Sequence, residues 1–166
     1  MGESGAPVIR RSTIIGEVEL MFLGTYEHTI DDKGRMTIPV RFRELINEGA
    51  YITLGFDHNL MVLTNQVFSN LSTRVNEMSI TNPVARDLRR LMFSNAIQVE
   101  VDKAGRILIP SFLRNMIQLD GQAIVIGAGG YFEIWSPEIW SPRSENILNS
   151  ETNEQRYATL DLSLQL

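Results

Sequence analysis

The sequence predicts an α+β protein built from two β-β-α-β-β repeats, and two observations support this prediction. The stretch DDKGRMTIPVRFRELI at residues 31–46 returns as DKAGRILIPSFLRNMI at residues 102–117. Segments in which apolar and polar residues alternate, as in half-buried strands, surround a segment with the apolar spacing of a helix. Self-similarity of this kind indicates a duplicated structural unit.

The first half of each repeat predicts a strand, a tight turn, a second strand and a short helix. Gly34 and Gly105 mark the turns, since glycine adopts positive φ without steric cost. Pro39 and Pro110 follow the second strands, and proline suits the first position of a helix. The residues expected to face the core are Tyr26, His28, Ile30, Phe42, Leu45 and Ile46 in the first repeat, and Ile97, Val99, Val101, Leu113, Met116 and Ile117 in the second.

The remaining elements follow in chain order. Two further strands complete each repeat, at residues 50–54 and 59–63 in the first and at 122–126 and 131–135 in the second. Two helices join the repeats, and Asn82-Pro83 is a typical start for the later one. In that helix Val84, Leu88, Leu91 and Met92 are expected on one face, and Arg86, Arg89 and Arg90 form a basic stripe on another face, at an interface. Ser136-Pro137 predicts a short helix that Pro142 interrupts, before a polar helix at 143–157.

This organisation gives five segments. They are an N-terminal extension at 1–20 that we expect to be disordered, a first repeat at 21–66, linking helices at 67–94, a second repeat at 95–140, and a C-terminal helix and tail at 141–166.

Composition excludes several classes of protein. The 166 residues include no cysteine, which removes disulfides, thiolate catalysis and cysteine-based metal sites and agrees with a reducing cytoplasm. No apolar run is long enough to span a bilayer, and the start lacks the apolar region of a secretory signal, so secretion is not expected. The net charge is −5, but residues 31–114 hold 11 lysines and arginines against nine acids. Because local fields decide attraction to phosphates, this distribution permits binding to nucleic acid.

The pattern of strand, Asp-x-x-Gly-Arg, strand, Ile-Pro and helix resembles the AbrB-type swapped-hairpin DNA-binding domain. Two tandem copies, with Met-Phe-Leu-Gly beginning at Met21 and Asn-Pro-Val-Ala-Arg beginning at Asn82, closely resemble the MraZ family of bacterial transcriptional regulators. The resemblance covers about residues 21–140. It implies an AbrB-like swapped-hairpin, pseudo-dimeric β-barrel with peripheral helices, in which both Gly-Arg turns lie on one side.

The resemblance also implies a function. The family regulates the division and cell-wall gene cluster, so we expect a sequence-specific DNA-binding regulator that represses from tandem repeats upstream of its own operon. The expected partners are double-stranded DNA and further copies of the chain in a ring-shaped homo-oligomer, which would give avidity to weak contacts. The expected location is the cytoplasm, at the nucleoid, with no cofactor and no membrane.

The arginines of the two motifs, Arg35 and Arg106, are the first candidates for DNA contact, since arginine forms paired hydrogen bonds with phosphate and with guanine edges. The alternative is a salt bridge across the turn, to Asp31 or Asp102, and both can hold in different copies or states. The other candidates are Lys33, Lys103, Gly34 and Gly105 in the turns, and Arg41 and Arg43 on the exposed face of the first helix, where Arg114 is the counterpart of Arg43. A solvated surface is the alternative for the lysines and the helix arginines.

Other chemistry has little support in the sequence. Asp31-Asp32 lacks a nucleophile or base partner, so we interpret Asp31 as a turn residue and the protein as a non-enzyme. His58 beside Asp57 offers two adjacent ligands, too few for a metal site. The alternative function is a ring-forming interaction scaffold without specific DNA recognition, and a steep fall of DNA affinity with salt would argue against it.

Overall fold

The computed structural model describes residues 20–162, and the predictions for residues 1–19 and 163–166 lie outside this range. The strands are β1 (Thr25–Thr29), β2 (Arg35–Thr37), β3 (Ala50–Leu54), β4 (Leu60–Thr64), β5 (Ile97–Val99), β6 (Arg106–Leu108), β7 (Gln122–Gly127) and β8 (Phe132–Trp135). The helices are α1 (Val40–Leu45), α2 (Asn65–Asn76), α3 (Pro83–Phe93), α4 (Ser111–Met116), α5 (Pro137–Ile147) and α6 (Ser150–Tyr157), followed by a 3-10 turn at Ala158–Leu160. The α+β class is confirmed, and each repeat has the order β-β-α-β-β.

The two repeats exchange their first strands. Six strands form one antiparallel sheet in the order β1-β7-β8-β4-β3-β5, so β1 pairs with the second repeat and β5 with the first. The counterparts in the two repeats are β1 and β5, β3 and β7, and β4 and β8. Exchanging each strand for its counterpart gives the same order, read from the other edge of the sheet. This is the pattern of an internal two-fold axis.

The closed barrel of the sequence prediction is not found among residues 20–162. β1 and β5 lie at the two edges of the six-stranded sheet, and β2 pairs with β6 in a separate two-stranded ribbon. The strands β2 and β6 would have to extend the sheet to close a barrel, but they pair with each other instead. On the side of the first repeat, an isolated bridge between Ile30 and Met36 connects the ribbon to the end of β1.

One hydrophobic core serves both repeats. Met36, Ile38 and Phe42 from the first repeat and Ile107, Ile109 and Leu113 from the second are at most 1% exposed. The rings of Phe22, Phe42 and Phe132 pack with centroids 5.1–5.2 Å apart. Burying one such large side chain contributes about 1.5–3 kcal/mol. Because Met36 and Ile107 belong to β2 and β6, the core also fixes the position of the ribbon.

Most residues predicted to face the core do so, but Met116 does not, and the predicted apolar face of α3 is only partly buried. Met116 is 46% exposed and Val84 is 74% exposed. The helix α4 has six residues and ends at Met116, so its last side chain extends beyond the packed turn. In α3 the buried residues are Ala85, which the predicted face did not include, and Met92, which it did.

The predicted start of α3 is confirmed, because the Asn82 side chain accepts hydrogen bonds from the first free N–H groups of the helix. Two arginines of the basic stripe that follows donate hydrogen bonds to backbone carbonyls of the same chain. Arg86 Nη1 donates to the carbonyl of Ile80 at 2.9 Å, and Arg89 Nη2 donates to that of Asn76 at 3.2 Å. These arginines hold the connection between α2 and α3.

The prediction that Pro142 interrupts the helix after β8 is wrong, because α5 continues from Pro137 to Ile147. A proline inside a helix loses the hydrogen bond to the carbonyl four residues earlier. Here that residue is Glu138, and both Glu138 and Pro142 are exposed, so water can bond the free carbonyl.

Candidate nucleic-acid interface

The β2–β6 ribbon has one face in the core and one in solvent. Met36 and Ile107, opposite each other in the register, are buried. Successive side chains of a strand point to opposite faces, so Arg35 and Arg106 belong to the outer face. Thr37 lies opposite Arg106, which makes the two arginines diagonal neighbours across the ribbon. The ribbon therefore presents both motif arginines together.

Asp31 forms the first turn with both of its carboxylate oxygens. Oδ1 accepts from the backbone N–H groups of Lys33 and Arg35 at 3.0 and 2.9 Å, and Oδ2 accepts from Nε of Arg35 at 2.7 Å. The backbone carbonyl of Asp31 accepts from the N–H of Gly34 at 3.0 Å. These bonds, that of the Arg35 backbone N–H first, hold the pKa of the Asp31 carboxyl below its ordinary value. The turn thus contains a charged carboxylate that orients Arg35.

The second turn repeats this arrangement. Oδ1 of Asp102 accepts from the backbone N–H groups of Ala104 and Arg106, both at 2.9 Å, and Oδ2 accepts from Nε of Arg106 at 3.0 Å. The backbone N–H of Arg106 again is the main cause of a lowered pKa for Asp102. The salt bridge that the sequence offered as an alternative to DNA contact is present in both turns, and each aspartate engages its own arginine through Nε.

The two turns are held against each other. The N–H of Ile38 donates to the carbonyl of Gly105 at 2.9 Å, and the N–H of Ile109 donates to that of Gly34 at 2.8 Å. Gly34 and Gly105 have φ of +84° and +77°, where a side chain would be strained. In addition, Nη1 of Arg106 lies 3.9 Å from Oδ2 of Asp31, a contact between turns that the sequence gave no reason to expect.

Arg43 and Arg114 do not lie on fully exposed helix faces, as the sequence predicted. Both are partly buried, and their Nε groups donate to backbone carbonyls at the ends of β2 and β6, at 2.6 and 3.0 Å. Each guanidinium lies against the glycine of the other repeat: a Cβ at Gly105 would stand 2.4 Å from Cζ of Arg43, and one at Gly34 would stand 3.0 Å from Cζ of Arg114. The matched arginines in the two repeats were the sequence signal for this role.

Lys33, Lys103 and Arg41 are exposed, as expected. The two turns and the adjoining ribbon together carry four cations, Lys33, Arg35, Lys103 and Arg106, and three carboxylates, Asp31, Asp32 and Asp102. Arg43 and Arg114 add two positive charges behind the turns. This surface has a net positive charge on a chain that is acidic overall, and it can attract a polyanion.

The histidines do not form a site. His28 is partly buried on β1, and burial first, then the charge of Arg43, lower its pKa. His58 is exposed with φ of +57°. Residues 20–162 contain no group of three His, Cys, Asp or Glu side chains that could bind a metal ion. Within the same range, no helix is long and apolar enough to cross a membrane.

A polar cluster that the sequence did not reveal lies on β8, outside the turns. Glu133 accepts from Nε1 of Trp135 at 3.2 Å and from Nδ2 of Asn59 at 2.8 Å. Burial raises the pKa of Glu133 despite these two bonds. Nearby, Arg143 pairs with Asp57 at 3.2 Å.

An apolar cleft of about 360 Å³ lies between α2, α3 and the strands β3 and β4. Leu71, Val75 and Met92 form part of its wall, and Phe56 and Met78 line it although they are 69% and 42% exposed. Exposed apolar residues that border a cleft are typical of contact surfaces between proteins.

Comparison with known proteins gives a consistent result. A family model described as "MraZ protein, putative antitoxin-like" matches residues 21–91 and again residues 92–162. The chain is 47% identical over 130 residues to a Roseiflexus sp. protein, an alignment that covers 78% of this chain and 88% of the relative. It is 46% identical over 134 residues to a protein of Herpetosiphon aurantiacus (81% and 91% covered) and 44% identical over 142 residues to one of Thermomicrobium roseum (84% and 99%). All three relatives are named Transcriptional regulator MraZ.

Proposed function

The chain belongs to the MraZ family, and on this premise we propose that it is a transcriptional regulator that binds double-stranded DNA sequence-specifically through the outer face of the β2–β6 ribbon. The observation that carries the proposal is the pair of Arg35 and Arg106 on that face, each oriented by an aspartate through Nε. Guanidinium groups form paired hydrogen bonds with phosphate or with guanine edges. The name that the relatives bear, transcriptional regulator, supports the same function.

The candidate residues then divide the work. Arg35 and Arg106 contact phosphates and base edges, while the exposed Lys33, Lys103 and Arg41 contact phosphates and set the position of the protein on the duplex. Gly34 and Gly105 keep the turns narrow, so the backbone can approach the DNA closely. Arg43 supports the Gly105 turn from behind and adds its charge to the local field.

The proposal extends to the architecture and the assembly. The exchange of β1 and β5 between the repeats supports an AbrB-like swapped-hairpin pseudo-dimer within one chain. The apolar cleft with exposed Phe56 and Met78 supports contact between copies, and we assign to it the formation of a ring-shaped homo-oligomer. In such a ring several ribbons meet several DNA repeats, and the combined affinity exceeds that of one contact.

In the cell, the proposed target is the division and cell-wall gene cluster, which the protein represses from tandem repeats upstream of its own operon. It acts in the cytoplasm at the nucleoid, without a cofactor, without a membrane and not as an enzyme. The basis for this part is family membership rather than geometry.

Fluorescence anisotropy tests the proposal with a duplex from upstream of the gene, a scrambled duplex and two salt concentrations. Wild type should prefer the native duplex and lose affinity steeply with salt. Arg35→Ala and Arg106→Ala should each weaken native binding about tenfold or more, given roughly 1–3 kcal/mol for one paired contact. Arg156→Ala, in the exposed helix α6, is the matched control and should bind like wild type.

Equal and weak binding of both duplexes would contradict sequence-specific recognition and favour the interaction scaffold. The assembly is tested separately by light scattering, in which Phe56→Asp should lower the mass of the particle while the circular dichroism spectrum stays that of wild type. An unchanged mass would remove the cleft from the proposed contact between copies.

A further inference from the structure

The two turns match bond for bond except at one aspartate. Oδ2 of Asp31 lies 2.7 Å from Nε of Arg35 and 3.9 Å from Nη1 of Arg106, so this oxygen faces the arginines of both repeats. Oδ2 of Asp102 pairs with Arg106 at 3.0 Å, and among the ion pairs of residues 20–162 it has no corresponding pair with Arg35. The two turns differ in this contact, since within 4.0 Å Asp31 faces both arginines and Asp102 faces one.

We propose that Asp31 is the positioning residue for both arginines and joins them into one contact with the duplex, whereas Asp102 acts on one arginine. This inference rests on the proposed function, because it assigns a role in recognition. The residue that is assigned to recognition, Asp31, is negatively charged, although it lies on the surface whose net positive charge attracts the DNA.

Charge explains why one carboxylate can hold two arginines. Two guanidinium groups at diagonal positions of a ribbon repel each other, and a carboxylate oxygen between them reduces this repulsion. It also restricts the rotamers of two long side chains that otherwise lose that freedom when DNA binds. An arginine pair ordered before binding fits one arrangement of phosphates and base edges better than others, and this difference is what a specific binder needs.

The exposure of these ion pairs indicates whether loss of the Asp31 charge will change folding stability or DNA recognition. The side chains of Asp31, Arg35 and Arg106 are 33%, 32% and 30% exposed, so solvent screens the ion pairs and their contribution to folding is small. Loss of the Asp31 charge should therefore change recognition far more than stability.

Asp31→Asn and Asp102→Asn form a matched pair. In each variant the remaining oxygen can still accept from the two backbone N–H groups of the turn, and each removes one negative charge from the same surface. Affinity for a scrambled duplex should rise by the same factor in both. The preference for the native duplex, expressed as the ratio of the two dissociation constants, should fall about tenfold in Asp31→Asn, which loses its charge contacts with both arginines, and about threefold or less in Asp102→Asn, which loses its contact with one.

A double-mutant cycle on this ratio separates the two aspartates further. Asp31→Asn combined with Arg106→Ala should give a coupling clearly different from zero, and Asp102→Asn combined with Arg35→Ala should give none. Equal losses in the two single variants, or equal couplings in the two cycles, would overturn the proposal while leaving DNA recognition in place.

A second measurement needs no DNA. In ¹⁵N spectra of the free protein, Asp31→Asn should shift the side-chain N–H signals of both Arg35 and Arg106, and Asp102→Asn should shift those of Arg106 alone. If Asp31→Asn leaves Arg106 unchanged, the proposed joint positioning is wrong whatever the DNA result. If wild type shows this pattern but does not prefer the native duplex, the proposed function fails and the role of Asp31 in recognition fails with it.

Discussion

Replacing Gly105 with alanine should destabilise the fold by about 3 kcal/mol, and the same change at Gly121 by about 1 kcal/mol. Both glycines have positive φ, +77° and +69°, so both substitutions place a side chain in a strained backbone conformation. Their surroundings differ. A Cβ at Gly105 would stand 2.4 Å from Cζ and 2.6 Å from Nε of Arg43, whereas a Cβ at Gly121 would meet no atom within 4 Å among the described residues.

The additional loss at Gly105 comes from the displaced arginine. Arg43 is flexible enough to move away from a methyl group, but its Nε would then leave the carbonyl of Ile38, to which it donates at 2.6 Å. A hydrogen bond that involves a charged group contributes about 1.5–3 kcal/mol. The backbone strain at positive φ, about 1 kcal/mol, is common to Gly105 and Gly121 and cancels in the comparison.

Urea unfolding followed by circular dichroism at one protomer concentration measures these losses, since self-association would otherwise add to the apparent stability. A double-mutant cycle with Arg43→Ala should give a coupling of about 2 kcal/mol, because the hydrogen bond lost in Gly105→Ala is already absent. Equal losses at Gly105 and Gly121, or additive effects of Gly105→Ala and Arg43→Ala, would refute the contact between the repeats as a source of stability.

Two further predictions concern a helix cap and a buried carboxyl. Asn82→Ala removes the cap of α3 and should lower the free energy of unfolding by about 1 kcal/mol in urea titrations. Asn149→Ala removes the cap of a helix without buried residues and should leave the free energy of unfolding unchanged. Equal losses in the two variants would contradict this reasoning. Because burial raises the pKa of Glu133, its charged form is less favourable in the fold than in the unfolded chain. Wild type should therefore gain stability relative to Glu133→Gln as the pH falls from neutral towards 4.5, and a difference in melting temperature that is independent of pH would contradict the assignment.

Features that depend on neighbouring residues were predictable from the sequence. The turn glycines, the Asn82 cap and the bounds of β3 at residues 50–54 are as expected, because positive φ, capping and alternation are encoded within a few residues. The candidate arginines of the two turns were identified for the same reason, and the repeat showed which positions correspond.

Features that depend on contacts across the chain were not predictable. The contact of Arg106 with Asp31 joins different repeats, and the place of Arg43 against Gly105 depends on how α1 lies beside the second turn. A helical pattern can indicate that Arg43 is off the main apolar face, but it does not indicate which other element covers that side. The pairing of β2 with β6 leaves the sheet open. Alternation of apolar and polar residues predicts that each of these segments is a strand, but it does not decide which strand pairs with it.

The exchange of first strands has a consequence for how the protein is made. In the register of β1 with β7, Thr25 lies opposite Ile126, so a ribosome synthesises most of the chain before the first strand can meet its partner. Pairing over such a distance requires closure of a long loop, which slows folding. During that interval β1 and β3 lack the partners that the second repeat will supply, and their free edges can pair with strands of other nascent chains. Neighbouring ribosomes on one message would expose these complementary edges to each other, and chaperones that shield unpaired strands would act most usefully before β7 emerges.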